Sequence, residues 1–287
     1  MNEFNHGSIS TAKRLAFTYE LKRNFTKSIK KLLRKGVNQN PQFIKSRYSD
    51  IEAKKIVVDQ GLGLVNGNQL SWFYTAFERD DKDPLTNFTL KFINEKVDKN
   101  KKILVTGCGT GIMVFHLADQ GFKFVEGRDL LPECIKIASI LKDKFDYTET
   151  SFLLDDGFKP FQNGKYDVIT ALHWVFSAWM GNYGNKQIEN PRDYDVRSKL
   201  LIDFFGEYQS LMNPGCLFFV ELIDAVADYR DPFDHPIGLE SLNIYPVRFS
   251  PEQVAICGKE HGLELIEKRL SVSYGHQPRT TFVMRKN

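Results

Sequence analysis

Short apolar blocks alternate with amphipathic stretches along most of the chain, and this alternation predicts strands and helices in turn. Ile103-Leu104-Val105 reads as a buried strand that breaks into glycines and then a helix from Ile112 to Gln120. Phe122 to Asp129 reads as a second strand. Pro132 suits the first turn of the next helix, which sends Ile135, Ala138, Ile140 and Leu141 inward. Phe152-Leu153-Leu154 is a third strand, and Lys165 to Trp174 a fourth with a polar end. A helix over about 196–211 leads through Asn213-Pro214-Gly215 into a fifth strand, Cys216 to Leu222. Ser250-Pro251-Glu252-Gln253 opens a further helix with a capping box, and residues 263–271 and 280–285 close the chain as a hairpin. The pattern predicts an α/β fold: a doubly wound, mostly parallel, seven-stranded sheet with a C-terminal antiparallel hairpin.

The first third of the chain is patterned differently. Residues 11–35 read as a basic amphipathic helix, with Leu21, Phe25, Ile29 and Leu32 on one stripe and Gly36 at its end. Residues 41–60 form a second helical piece, glycines and asparagines punctuate 61–68, and Trp72, Phe73, Tyr74 and Phe77 form an aromatic cluster, either core or substrate wall. Asp83-Pro84 then caps and opens a helix whose stripe is Leu85, Phe88 and Phe92. A mostly helical N-terminal extension, 1–83, therefore precedes a domain of residues 84–287. Within that domain 174–195 and 224–249 are insertions between elements.

Charge sharpens this division. The net charge of +3 conceals +8 over residues 1–60, where 13 Lys or Arg face 5 Asp or Glu, and −5 over the rest. The charge excess reads as a solvated helix face or a surface for an anionic partner, and helix 11–35 as one that packs over a substrate cleft or, alternatively, contacts nucleic acid or an anionic membrane. No apolar run approaches the roughly 20 residues of a membrane span, and the N-terminus lacks the basic-then-apolar pattern of a secretory signal. The four cysteines, at 108, 134, 216 and 257, have no metal spacing and read as reduced thiols, which places the chain in the cytoplasm.

The densest chemistry lies at Gly107-Cys108-Gly109-Thr110-Gly111. Glycines between a strand and a helix let the backbone turn sharply and let a ligand approach bare main chain. A dinucleotide fingerprint would need glycine at 112, which is isoleucine, and a P-loop would need wider spacing and a lysine. Asp129, at the end of the second strand, is placed to accept from both hydroxyls of a ribose. Leu130 follows, placed to cover one face of a base. Asp156 with the Gly157 backbone suits an adenine edge: the carboxylate accepts from the amino group and an amide donates to a ring nitrogen.

The glycine turn 107–111, Asp129, Asp156, the strand beginning at Asp167 and the Pro214-Gly215 turn stand in an order that resembles the class I S-adenosylmethionine-dependent methyltransferases, over residues 84 to 287. The resemblance implies S-adenosyl-L-methionine as cofactor, bound by Gly107, Cys108, Gly109, Gly111, Asp129, Leu130, Asp156 and Gly157. One position departs from the family. The acidic residue usual two positions before the first glycine is Val105 here, so a backbone carbonyl or a residue of the N-terminal region would have to hold the amino-acid end of the cofactor. The turns at 107–111, 129–131, 156–158 and 172–175 should gather beyond the carboxyl ends of the strands, roofed by the two insertions and the extension.

The resemblance implies methyl transfer, and the two roofing insertions with their aromatic residues favour a closed pocket and hence an oxygen or nitrogen of a small-molecule acceptor. An RNA (tRNA) methyltransferase using helix 11–35, or a non-catalytic scaffold that kept the fold, are the alternatives. His173, just past the fourth strand, is the candidate general base, since its ordinary pKa suits proton transfer near neutrality; the alternative is a histidine that only packs at the strand end. His235, His276, Asp231 and Asp234 read as surface or positioning residues. Asp155-Asp156 does not read as a metal pair, because adjacent side chains of an extended segment point apart, and no metal site is expected.

Overall fold

The computed structural model of the chain describes residues 47, 49–59, 84–172, 194–224, 248–273 and 277–287. The described elements run α1 (Asp50–Asp59), α2 (Pro84–Lys96), β1 (Lys102–Thr106), α3 (Ile112–Asp119), β2 (Phe124–Asp129), α4 (Pro132–Lys144), β3 (Thr150–Leu154), β4 (Tyr166–Ala171), α5 (Tyr194–Gln209), β5 (Met212–Asp224), β6 (Arg248–Phe249), α6 (Pro251–Lys259), β7 (Leu263–Ser273) and β8 (Gln277–Lys286). The sheet order is β3-β2-β1-β4-β5-β8-β7, with two-residue β6 pairing the end of β5. The first five strands are parallel, and β8 runs antiparallel to both β5 and β7. This is the seven-stranded, doubly wound sheet with a terminal hairpin that the patterning predicts, plus one short flanking strand.

Both faces of the sheet are covered, which is why its strands read as continuous apolar runs rather than as alternating ones. On one face Leu104, Ile169, Phe218, Val220 and Phe282 pack against Leu201, Phe204, Phe205 and Tyr208 of α5 and Val254 and Cys257 of α6. On the other, Ile103, Val105, Val168, Phe219 and Val283 meet Leu90 and Ile93 of α2 and Met113, Val114 and Leu117 of α3. The ring of Phe92 stands edge-on to Phe219, with centroids 5.4 Å apart. A third apolar cluster joins Ala53 of α1 to Phe115, Ile137, Leu141 and Tyr147. Beside it Arg47 donates to the Asp146 carbonyl (2.6 Å) and to Asp119 Oδ1 (3.3 Å), and lies 4.0 Å over the Tyr147 ring. Residues 47–59, the end of the second helical piece, thus seat on the domain itself.

Several local expectations shift in detail. The buried stripe of α4 is Cys134, Ile137, Ala138 and Leu141, while Ile135 and Ile140 only flank it. The reason is spacing: 134, 137, 138 and 141 form the i, i+3, i+4, i+7 row that faces the sheet. In α2 the buried residues are Thr86, Thr89, Leu90 and Ile93, with Phe88 and Phe92 partly buried at the edge. The second strand begins at Phe124, not Phe122. Phe122 is buried in the connection, and Lys123 N–H bonds back to the Lys99 carbonyl. The fifth strand starts earlier than expected, at Met212, which pairs with Tyr166; the ladder resumes at Leu217 opposite Val168. The Asn213-Pro214-Gly215 segment is therefore a bulge inside the strand, and Gly215 takes the left-handed conformation there (φ +78°). At Ser250 the cap forms as expected: Ser250 Oγ accepts from the Gln253 N–H at 3.2 Å, and the Gln253 amide reaches Ser198 Oγ at 2.8 Å.

Candidate active site

Three turns meet at the carboxyl ends of β1, β2 and β3. The Cys108 N–H donates to the Arg128 carbonyl and the Asp155 N–H to the Asp129 carbonyl, each at 2.9 Å, so backbone pairing extends past the strands into the turns. Gly107, Gly109 and Gly111 all have positive φ (64°, 55° and 89°), a run that other residues adopt only under strain. The three are not equivalent. A Cβ on Gly111, the N-cap of α3, would stand 2.8 Å from the Phe152 ring and 3.1 Å from Phe115. Its missing side chain makes room for packing inside the protein, as does that of Gly127, which faces the same Phe152 ring.

Asp129 is held beside this turn. Its Oδ2 accepts from the Gly109 N–H at 2.8 Å and its Oδ1 from the Leu131 N–H at 2.9 Å. Burial pushes the Asp129 carboxyl up; the N–H groups of Leu131, Gly109 and Leu130 act the other way, and burial prevails. A carboxylate has about four acceptor positions, so the backbone leaves room for a further donor. The thiols of Cys108 and Cys134 are likewise pushed up by burial, and then by the charge of Asp129. Leu130 next to it is 44% exposed.

The adjacent acids after β3 do point apart. Asp156 Oδ1 accepts from the Phe158 N–H at 3.0 Å, and its carbonyl accepts from Lys159 at 2.9 Å, so the residue anchors its own turn. The Gly157 N–H has no hydrogen-bond partner among the described residues. Asp155 turns inward to Arg128 and accepts from the Phe161 N–H at 3.0 Å.

Arg128 is the residue whose role sequence reasoning missed. Its side chain is 2% exposed. Nε donates to Glu126 Oε1 at 2.6 Å, one terminal nitrogen to Asp155 Oδ2 and the Phe161 carbonyl, both at 2.8 Å, and the other to Tyr166 Oη at 2.7 Å and to Asn163. Tyr166 Oη in turn donates to Glu126 Oε1 at 2.8 Å, and burial, then that carboxylate, push its phenol up to about 12. Desolvation works against the guanidinium, yet Asp155 and Glu126 outweigh it and keep it charged. One cation thus satisfies two acids and ties β2, the 155–163 loop and β4 together. Tyr208 of α5 was also missed. Fully buried, it meets the Gly157 carbonyl at 2.7 Å and Thr106 Oγ1 at 3.2 Å, and burial drives its phenol far above the ordinary range.

Val105 is buried in the apolar cluster with Ile103, Met113 and Val114, so the position usual for an acid is part of the core here. The fourth strand ends with buried Ala171, and Leu172 is also buried. His173, His235, His276, Asp231, Asp234, the basic segment 11–35 and the aromatic cluster Trp72 to Phe77 lie outside the described residues. Among the described residues no group of three or more His, Cys, Asp or Glu is placed to hold a metal ion, and no helix is long and apolar enough to cross a membrane.

The glycine turn, the carboxylate at the end of β2 and the Gly157 N–H, unpaired among the described residues, stand together at the carboxyl ends of a doubly wound sheet. Residues 77–178 match the family described as a methyltransferase domain. No curated protein matches the sequence. Among solved structures, an S-adenosylmethionine-dependent methyltransferase from Clostridium acetobutylicum shares 16% identity over 77% of this chain and 98% of its own, with a TM-score of 0.53. The 1,6-didemethyltoxoflavin-N1-methyltransferase of Burkholderia thailandensis, bound to its substrate and S-adenosylhomocysteine, shares 12% over 88% and 93%, with a TM-score of 0.53. Magnesium protoporphyrin IX methyltransferase from Synechocystis, with S-adenosylhomocysteine, shares 12% over 83% and 94%, with a TM-score of 0.51. The chain therefore shares the class I Rossmann-like fold of these S-adenosylmethionine-dependent methyltransferases, and about a third of it, residues 77–178, matches the methyltransferase domain family.

Proposed function

We propose that the protein transfers the methyl group of S-adenosylmethionine to an oxygen or nitrogen of a small-molecule acceptor in the cytoplasm. The observation that carries the cofactor assignment is Asp129: a carboxylate buried at the end of β2, locked to the glycine turn through the Gly109 N–H, with acceptor capacity left toward the sheet edge. Gly107, Cys108 and Gly109 supply the backbone ledge, and the carboxylate accepts from the ribose. Leu130 covers the base, while the Gly157 N–H and Asp156 read the adenine edge. The two neighbours with bound S-adenosylhomocysteine act, by name, on 1,6-didemethyltoxoflavin and magnesium protoporphyrin IX, which supports a small acceptor. The free, buried thiols of all four cysteines support a reducing compartment.

When bound, the cofactor supplies an already electrophilic methyl group, so the task of the protein is to align the acceptor behind it and exclude water. An alcohol or protonated amine must lose a proton. His173, two residues beyond β4, is the proposed base, its pKa suited to that exchange. The segments 174–195, 224–249 and 1–83, which lie largely outside the described residues, are the proposed selectors of the acceptor.

Calorimetric titration of the full chain tests the cofactor reading. S-adenosylhomocysteine should bind one to one, and adenosine should compete with it, since the assigned contacts are to ribose and base. A chain that takes up neither overturns the reading.

A further inference from the structure

We infer that Tyr208 is a positioning residue that sets the distance between the glycine turn and the adenine-reading turn, an inference that rests on the assignment of Asp156 and Gly157 to adenine. Its phenol stands between the two segments that contact the cofactor. Thr106 is the last residue of β1, immediately before Gly107, and Gly157 lies in the turn that follows β3. A phenol has one proton. At 2.7 Å that proton goes to the Gly157 carbonyl, so at 3.2 Å the oxygen accepts from the Thr106 hydroxyl.

The direction matters. The Gly157 carbonyl is the only backbone acceptor of that residue, and fixing it by a buried hydroxyl fixes the plane of the peptide that follows. The peptide that carries the Gly157 N–H is fixed on its other side, where the Asp156 carbonyl accepts from Lys159, so the Tyr208 bond completes the restraint on both peptides that flank Gly157. The ring of Tyr208 has little freedom of its own. It is stacked on Phe218 with centroids 5.1 Å apart and packed on Phe204 at 4.9 Å. Helix α5 therefore presents a rigid post, and the spacing between β1 and the 155–158 turn is set by side-chain packing on the far side of the sheet from α3. Two buried groups hold this loop from different directions: Arg128 through Asp155 and the Phe161 carbonyl, and Tyr208 through Gly157. Only Tyr208 touches the residue assigned to the base.

The test compares Tyr208→Phe, which keeps the stacked ring and removes only the oxygen, with Asp156→Ala and the double variant, all in the full chain. The readouts are the Kd of S-adenosylhomocysteine and the thermal midpoint. Tyr208→Phe should weaken binding about tenfold, as expected when a buried acceptor loses its donor. The double variant should lose less than the two single losses combined, because both changes act on one adenine contact. Thr106→Val should reproduce only a small part of the loss, because Gly157 keeps its donor. A Kd within twofold of the parent for Tyr208→Phe, with a lowered midpoint and a clear loss in Asp156→Ala, makes Tyr208 merely structural and overturns the inference. An unchanged Kd in Asp156→Ala overturns the adenine assignment beneath it, and the role of Tyr208 with it.

Discussion

The two ends of the parallel strands treat a carboxylate in opposite ways. At the amino-terminal edge Asp167 binds the Lys102 N–H at 3.0 Å, Asn213 at 3.1 Å and Lys101 at 3.3 Å. Burial pushes this carboxyl up, but these donors outweigh it and hold it below the usual range. At the carboxyl-terminal edge Asp129 also has backbone donors, yet burial wins and its carboxyl lies above the usual range. One acid is more than compensated by the protein around it, whereas the other is held ionised at a cost. A charge that its own fold does not fully compensate is a mark of a ligand site, so the contrast supports the proposed role of Asp129 toward the cofactor, whereas Asp167 fastens strands together.

Between these extremes stands Arg128, one residue before Asp129, and its removal should have the largest effect. In Arg128→Met, Glu126 and Asp155 lose a shared cation within a buried cluster, and the 155–163 loop loses its anchor. Breaking a buried ion pair from one side typically costs about 3–5 kcal/mol, measurable as a lowered urea midpoint. A loss under about 1 kcal/mol would mean that the cluster is solvated and no more than a surface pair.

Asp129→Asn should separate binding from stability. The amide keeps one acceptor oxygen but loses the charge, and charge-assisted bonds are worth about 1.5–3 kcal/mol, so S-adenosylhomocysteine should bind roughly ten- to a hundredfold more weakly. One of the Gly109 and Leu131 N–H groups loses its acceptor in the amide, partly offset because a carboxyl raised by burial costs stability once ionised, so stability should fall by no more than about 1 kcal/mol. The pH dependence has a definite sign. Binding by the parent should weaken as pH falls through the raised pKa of Asp129, before an ordinary carboxylate protonates, and the Asn variant should lose that slope. An equal fall in stability and affinity would place Asp129 with Asp167 as a fastening residue and erase the comparison.

This difference explains how much was legible in the sequence. The glycine turn, Asp129 and Asp156 sit on local patterns, a strand end followed within a few residues by a turn or helix, and the structure sets all three at one edge. The strand and helix order was legible for the same reason, because periodicity is a local property. Arg128 carries no such signal. Apart from Glu126 two residues before it, its partners lie 27, 33, 35 and 38 residues downstream, and a charge inside an apolar strand reads as an outward-facing position until the sheet is assembled. Tyr208 occupies an ordinary apolar position of an amphipathic helix, and its oxygen matters only because residues 51 and 102 positions away converge on it. Gly111 shows the opposite case: its conformation was readable, but that Phe152 fills the space before it depends on a strand 41 residues later.

The smallest expected effect, from Asp167→Asn, completes the contrast. The amide still accepts from the Lys102 N–H, while the charge-assisted part and the half-exposed Lys101 pair are lost. A loss of about 1 kcal/mol in stability follows, with no change in the Kd of S-adenosylhomocysteine, because Asp167 lies at the opposite end of the strands from the glycine turn. The linkage sign is the reverse of that at Asp129. A carboxyl held below its unfolded value contributes stability above that value and surrenders it as pH falls through the folded one. The difference in stability between parent and variant should therefore persist at neutral pH and shrink on acidification below the ordinary carboxylate range. A gap that instead widens in acid would show that the donors around Asp167 do not prefer its charged form, and that the two ends of the sheet are not different in kind.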